Sequence, residues 1–163
     1  MQPTFDKHRI LDALRQRMDA RLDALLASQQ SAQAGAIHEE NRQEHPKDTR
    51  AIEAQYLARG LAERAESLRD ATITLAALKV ARFAPDARVA VTALVALEFE
   101  SSESVYFLVP VGGGEQLQVD GETIQTLTPN SPLGRAVAGH RTDDTVEIEL
   151  PAGRRDAVIA WVA

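Results

Sequence analysis

The chain has 163 residues, enough for one or two small domains, and 44 % of them are hydrophobic, so a packed core is feasible. Aromatics are only 4 %, which leaves that core to Leu, Val, Ile and Ala. The net charge of −6 argues against direct binding to duplex DNA, whose phosphates repel an acidic surface, but not against a nucleoprotein that offers basic protein surface; the absence of Cys excludes disulfides and thiolate metal sites.

Residues 1–8 lack the apolar core of a signal peptide, and no apolar run is long enough to cross a bilayer. A cytoplasmic protein without membrane contact is expected. A first helix is expected from Thr4 or Phe5, with Thr4 as cap. Leu11, Leu14, Met18, Leu22 and Leu25 then recur at steps of three and four, which puts them on one stripe. The helix ends at Gly35 or near His38. Pro46 interrupts the chain, and Asp48 or Thr49 can cap a second helix. Along it Ala54, Leu57, Leu61, Arg64, Leu68, Ala71, Leu75 and Leu78 form a heptad seam with one polar member. Neither helix can bury its stripe alone, so the two are predicted to pair antiparallel, and an intrachain pairing that covers both stripes predicts a monomer.

The turn of that hairpin then falls at residues 38–48. Four carboxylates gather there: Glu39, Glu40, Glu44 and Asp48. Such a loop is either a solvated turn or a hard-cation site, because Mg²⁺ takes carboxylate oxygens and keeps several waters. His38 and His45 flank the acids. The run from His38 to Arg42 fails HExxH, since its fifth residue is not His.

Residues 82–86, with Pro85, read as a junction, dividing the chain into a helical hairpin (1–81) and a β-rich domain (82–163). Residues 89–97 alternate as a half-buried strand does, and 105–111 form a second strand. Gly112, Gly113 and Gly114 make a break that does not fit GxGxxG. Residues 116–119 and 122–125 read as a hairpin closed by Asp120 and Gly121. Two final strands, 145–150 and 157–162, are joined around Pro151 and Gly153. Antiparallel strands with one short helix packed on a face give an α+β domain.

That short helix has both ends written in the sequence Asn130-Ser131-Pro132-Leu133-Gly134-Arg135-Ala136 and the following Gly139. Ser131 can cap the first turn, Pro132 suits the first helical position, and Gly139 suits the residue past the end. This motif, followed by an acidic turn and Pro151-Ala152-Gly153, resembles the C-terminal domain of the Gre transcript-cleavage factors. The order helical hairpin, acidic tip, β domain resembles that family over nearly the whole chain.

The resemblance implies an FKBP-like C-terminal domain that docks on RNA polymerase, with Ser131, Pro132, Leu133 and Arg135 at the contact. It implies a hairpin that enters the polymerase's secondary channel. Acids at its tip would help hold a Mg²⁺ shared with the polymerase active site, beside the RNA 3′ end. Cleavage would be the polymerase's own activity, so the chain is not expected to be an enzyme or to bind a cofactor tightly. The tip departs from the family's Gly-Asp-x-x-Glu-Asn-x-Glu-Tyr. A register matching the tyrosine to Tyr56 puts Thr49 and Ile52 where the first two acids belong, with Asp48 and Glu53 one place to either side. The other register leaves the charge to Glu39, Glu40 and Glu44. The alternatives are therefore a Gre-like inhibitor of polymerase that does not stimulate cleavage, and a coiled-coil adaptor without catalytic effect. A prolyl isomerase would rest on fold alone.

Overall fold

The computed structural model describes residues 5–41 and 49–163; the side chains of residues 36 and 39–41 lie outside that description. Helix α1 runs Lys7–Asn41. Asp6 caps it: the carboxylate Oδ1 accepts from the backbone N–H of His8 at 2.9 Å and of Arg9 at 3.4 Å. Thr4, the expected cap, is outside the described residues. The helix does not stop at Gly35 or His38 but continues to Asn41. Helix α2 runs Thr49–Ala77. Its last carbonyls are closed from α1, where Arg15 Nε donates to Leu75 O at 2.9 Å and Nη2 to Ala76 O at 3.2 Å and Leu78 O at 3.1 Å.

The chain divides into two compact units. One is Gln16–Ile73, the paired middle stretches of α1 and α2. The α1 stripe of Met18, Leu22 and Leu25 faces its partner as expected and continues through Gln29 and Ala32. The α2 seam is not the expected one. Its least exposed residues are Ala51, Ala54, Ala58, Leu61, Ala65, Leu68, Thr72 and Leu75, again at steps of three and four. Leu57 is 60 % exposed, and Arg64 also points to water. Both registers share Ala54, Leu61, Leu68 and Leu75. Rotating the seam to Ala58 and Ala65 keeps the guanidinium hydrated and lets small side chains line the contact.

The other unit joins Thr74–Ala163 to the start of α1 up to Arg15. It holds a six-stranded sheet of β1 (Leu94–Phe99), β2 (Ser102–Leu108), β3 (Gln116–Val119), β4 (Glu122–Leu127), β5 (Thr145–Leu150) and β6 (Gly153–Val162), with α3 (Pro132–Val137) between β4 and β5. The order is β3-β4-β2-β1-β6-β5. Every neighbouring pair is antiparallel except β2 and β4, which run parallel, so the sheet is mixed where an antiparallel one was expected. Asp120 and Gly121 close the β3–β4 hairpin with φ of 56° and 85°, the two positive values a type I′ turn requires.

The strand expected over 89–97 begins only at Leu94. Thr92 has φ 73°, which breaks an extended run. Three bonds hold this β-branched residue there: its N–H donates to Leu108 O at 2.7 Å, its Oγ1 accepts from Ala81 N at 3.0 Å, and its carbonyl accepts from Lys7 Nζ at 3.2 Å. Lys7 also donates to Ala81 O at 2.6 Å and lies 4.6 Å from the centre of the Phe83 ring. Burial pulls its pKa below the ordinary lysine value.

Both faces of the sheet carry buried side chains. On one, Val95, Leu97, Val146, Ile148, Ala157 and Ile159 pack with Val137 of α3. Leu94, Ala96 and Phe107 alternate to the other, where Phe5 stacks on Trp161 with ring centres 5.7 Å apart. The shift in register between Ala96 and Leu97 leaves Ala160 unpaired in β6. That bulge puts Trp161 on the face opposite Ile159, against simple alternation along 157–162.

Candidate functional site: the Ser131 helix and the hairpin end

The Ser131 helix is built as its sequence requires. Ser131 Oγ accepts from the Gly134 N–H at 3.0 Å and donates to Thr128 O at 2.8 Å, and Pro132 occupies the first turn. Gly139, at φ 80°, ends the helix; its N–H donates to Val89 O at 2.8 Å, while Val89 N–H donates to His140 O at 2.8 Å. Thr128 is the hub beneath this turn. A Cβ on Gly134 would lie 1.9 Å from Thr128 O, and one on Gly113 would lie 2.9 Å from Thr128 Cγ2. Both glycines are needed for the close approach.

The helix buries one side and shows the other. Val137 is fully buried, and Leu133 packs half-buried against the same core. Pro132 and Arg135 are exposed, with Arg135 Nη1 donating to Asn130 O at 2.6 Å. Of the expected contact residues, Leu133 is therefore turned largely to the core, and the outward surface is Pro132 and Arg135. Arg88, which no sequence pattern singled out, donates through Nη1 to Gly139 O at 2.7 Å and places a further exposed cation at the helix end. Beyond it, Asp144 accepts from Arg141 N at 2.8 Å and lies 3.3 Å from His140 Nδ1. That backbone bond, then the histidine, holds its carboxyl below the usual aspartate value.

The acids of the hairpin end fall in different places. Glu39 and Glu40 lie in the last turn of α1, not in a loop. Glu44, Asp48 and His45 are outside the described residues. Glu53 is exposed on α2, and His38 is exposed near the end of α1. Among the described residues no three His, Asp or Glu side chains converge as a metal site.

Residues 84–163 match the model of the family described as "Transcription elongation factor, GreA/GreB, C-term". Residues 84–163 are a domain of the GreA/GreB C-terminal type. The match spans the whole Ser131 helix and the strands that carry it. Solved structures are similar in fold at low identity. One, described as the transcription factor Gfh1, is 18 % identical with a TM-score of 0.40, covering 92 % of this chain and 93 % of that one. GreA factor homolog 1 of Thermus thermophilus is 19 % identical with a TM-score of 0.38, covering 93 % and 95 %. The GreA/GreB factor of Nitrosomonas europaea is 22 % identical with a TM-score of 0.36, covering 69 % and 92 %. No curated protein sequence matches the chain. The assignment rests on the domain match. In this chain two long helices precede a mostly antiparallel six-stranded sheet. Among the described residues no helix is long and apolar enough to cross a membrane.

Proposed function

We propose that this Gre-type chain binds RNA polymerase and modulates transcript cleavage or elongation. The observation that carries the reading is the match of residues 84–163 to the GreA/GreB C-terminal domain, together with the exposed Pro132 and Arg135 on a rigidly capped helix. In this reading Ser131 fixes the helix entry, Pro132 offers a flat apolar contact, and Arg135 offers a guanidinium to an acidic partner group. Leu133 supports the surface from the core side.

The paired helices α1 and α2 enter the secondary channel, and their joined end lies near the RNA 3′ end. Carboxylates are the ligands Mg²⁺ prefers, so Glu39, Glu40, Glu44 and Asp48, with Glu53 as a weaker member, would help hold an ion shared with the polymerase. Such an ion would activate water and offset phosphate charge. The residues of this chain supply negative charge there and no proton transfer of their own. The chain acts as a cytoplasmic monomer and binds no duplex DNA.

One observation favours the inhibitory variant of this reading. In the register that matches Tyr56, Thr49 and Ile52 stand where the family's first two tip acids belong, and Ile52 is an exposed apolar group. A hairpin of this kind fills the channel while offering fewer ion ligands.

Replacing Glu39, Glu40, Glu44 and Asp48 by Ala tests the tip. Polymerase binding should stay within about twofold of the parent, because these acids are remote in sequence from the docking helix, while the effect on stalled complexes should disappear. Asp48→Asn is the control, since Asn still caps a helix but ligates Mg²⁺ less well. A quadruple variant that acts on stalled complexes as the parent does would make the end a solvated turn and the chain an adaptor.

A further inference from the structure

The apolar side of α2 is wider than the seam that α1 covers. Two sets of residues at intervals of seven, one through Ala58 and Ala65 and one through Leu61 and Leu68, form the least exposed side of the helix. A third set at the same interval, Leu57, Arg64 and Ala71, lies beside them and stays open. Leu57 is 60 % exposed there. Leu57 and Leu68 are eleven residues apart, so they lie within about 20° of each other round the helix. A heptad stripe left uncovered in this way is completed by a further helix laid against it.

The open stripe borders a groove between the two helices. Arg21, Ala24, Leu25 and Ser28 of α1, with Arg64 and Leu68 of α2, line about 470 Å³. Each helix contributes residues at steps of three and four, so each set shares one helical face. Leu25 and Leu68 are half-buried and form the floor. Ser28 Oγ donates to Ala24 O at 3.1 Å, which satisfies its hydroxyl within α1. Arg21 and Arg64 stand exposed at the rim. Among the described residues Arg64 makes no ion pair or hydrogen bond. Asp19, Asp23 and Glu66 each lie two residues from one of these arginines, which turns them about 160° away round the helix.

We propose that this groove docks an acidic amphipathic helix of another protein. Its apolar face lies on Leu25, Leu57 and Leu68, and its carboxylates pair with Arg21 and Arg64. From Leu57 to Leu68 the stripe rises about 16 Å, the length of about three turns of a partner helix. The guanidinium groups at the rim select negative charge, and the aliphatic floor selects a protein over a nucleic acid, since it offers no ring on which a base could stack. The surface is separate from the Pro132–Arg135 contact and does not rest on the polymerase reading.

The probe is a fluorescein-labelled helical peptide of Leu, Ala and Glu with Leu at heptad spacing. It is titrated with the full-length chain at low salt and followed by anisotropy. The parent should bind it, and combining Arg21→Gln with Arg64→Gln should weaken binding about tenfold. Leu57→Asp should weaken it to a similar degree in a chain that thermal melts show to be folded. A peptide with Gln in place of Glu should bind several-fold less well. Combining Arg59→Gln with Arg69→Gln removes the same charge about 140° round α2 from Arg64 and should leave binding within about twofold. No binding of the peptide, or equal losses in the two arginine pairs, would overturn the proposal. So would a parent dimer in light scattering that Leu57→Asp dissociates, because a second copy would then cover the stripe. Tighter binding of a single-stranded oligonucleotide than of the peptide would overturn it as well.

Discussion

Gly134 is a residue without a substitute. A methyl there would meet Thr128 O at 1.9 Å, and that carbonyl cannot move without losing the Ser131 hydroxyl it accepts from. Gly134→Ala should therefore cost about 2–4 kcal/mol, read as a lowered urea midpoint with unchanged slope, by overpacking a turn that has no give. A change below about 0.5 kcal/mol would mean the turn relaxes freely. The sequence carried half of this turn. Ser131, Pro132 and Gly139 announced their positions because cap chemistry is local. Thr128, Gly113 and Arg88 did not, because their roles come from contacts that close only in three dimensions. The start of α1 shows the same limit. Asp6 and Thr4 are both sound caps by type, and only the fold decides between them.

At the scale of elements, periodicity located both long helices but not the face that α2 turns inward. Leu57 and Ala58 fit the heptad equally by spacing, and size favoured the leucine. The structure favours Ala58 and Ala65, because the alternative would bring Arg64 into the seam. Leu57→Asp should then stay within about 0.5 kcal/mol of the parent, while Leu61→Asp should cost about 2 kcal/mol or more by placing a carboxylate against the partner helix. Equal losses in thermal melts would restore the sequence-based seam. Gly60 lies inside α2, where an added methyl would meet no neighbouring atom within 4 Å. Gly60→Ala should therefore raise stability by about 0.5–1 kcal/mol through reduced freedom of the unfolded chain. A lowered Tm would show that the helix needs its glycine. In the sheet, β3, β4 and β5 were legible from alternation and turn residues. The late start of β1 was not, since Thr92 at positive φ is held by distant partners. The Ala160 bulge was also hidden, because it breaks the period of two that made β6 recognisable.

For the whole molecule, the Gre order of hairpin and β domain was readable, since it follows from patterning and from one moderately specific motif. The candidate site was readable only in part. Pro132 and Arg135 emerge as its exposed members, Val137 belongs to the core, and Glu44 and Asp48 lie outside the described residues. The central claim is that the chain binds RNA polymerase through the outward face of the Ser131 helix. The most direct measurement is the affinity of the full-length chain for core RNA polymerase, set beside that of Pro132→Ser. Serine at an exposed first-turn position preserves the fold at a cost of about 1 kcal/mol or less, which circular dichroism checks. The account predicts a stable complex with the parent chain and a loss of about tenfold in affinity for the folded variant. No complex with the parent, or one that Pro132→Ser leaves unchanged, would contradict it.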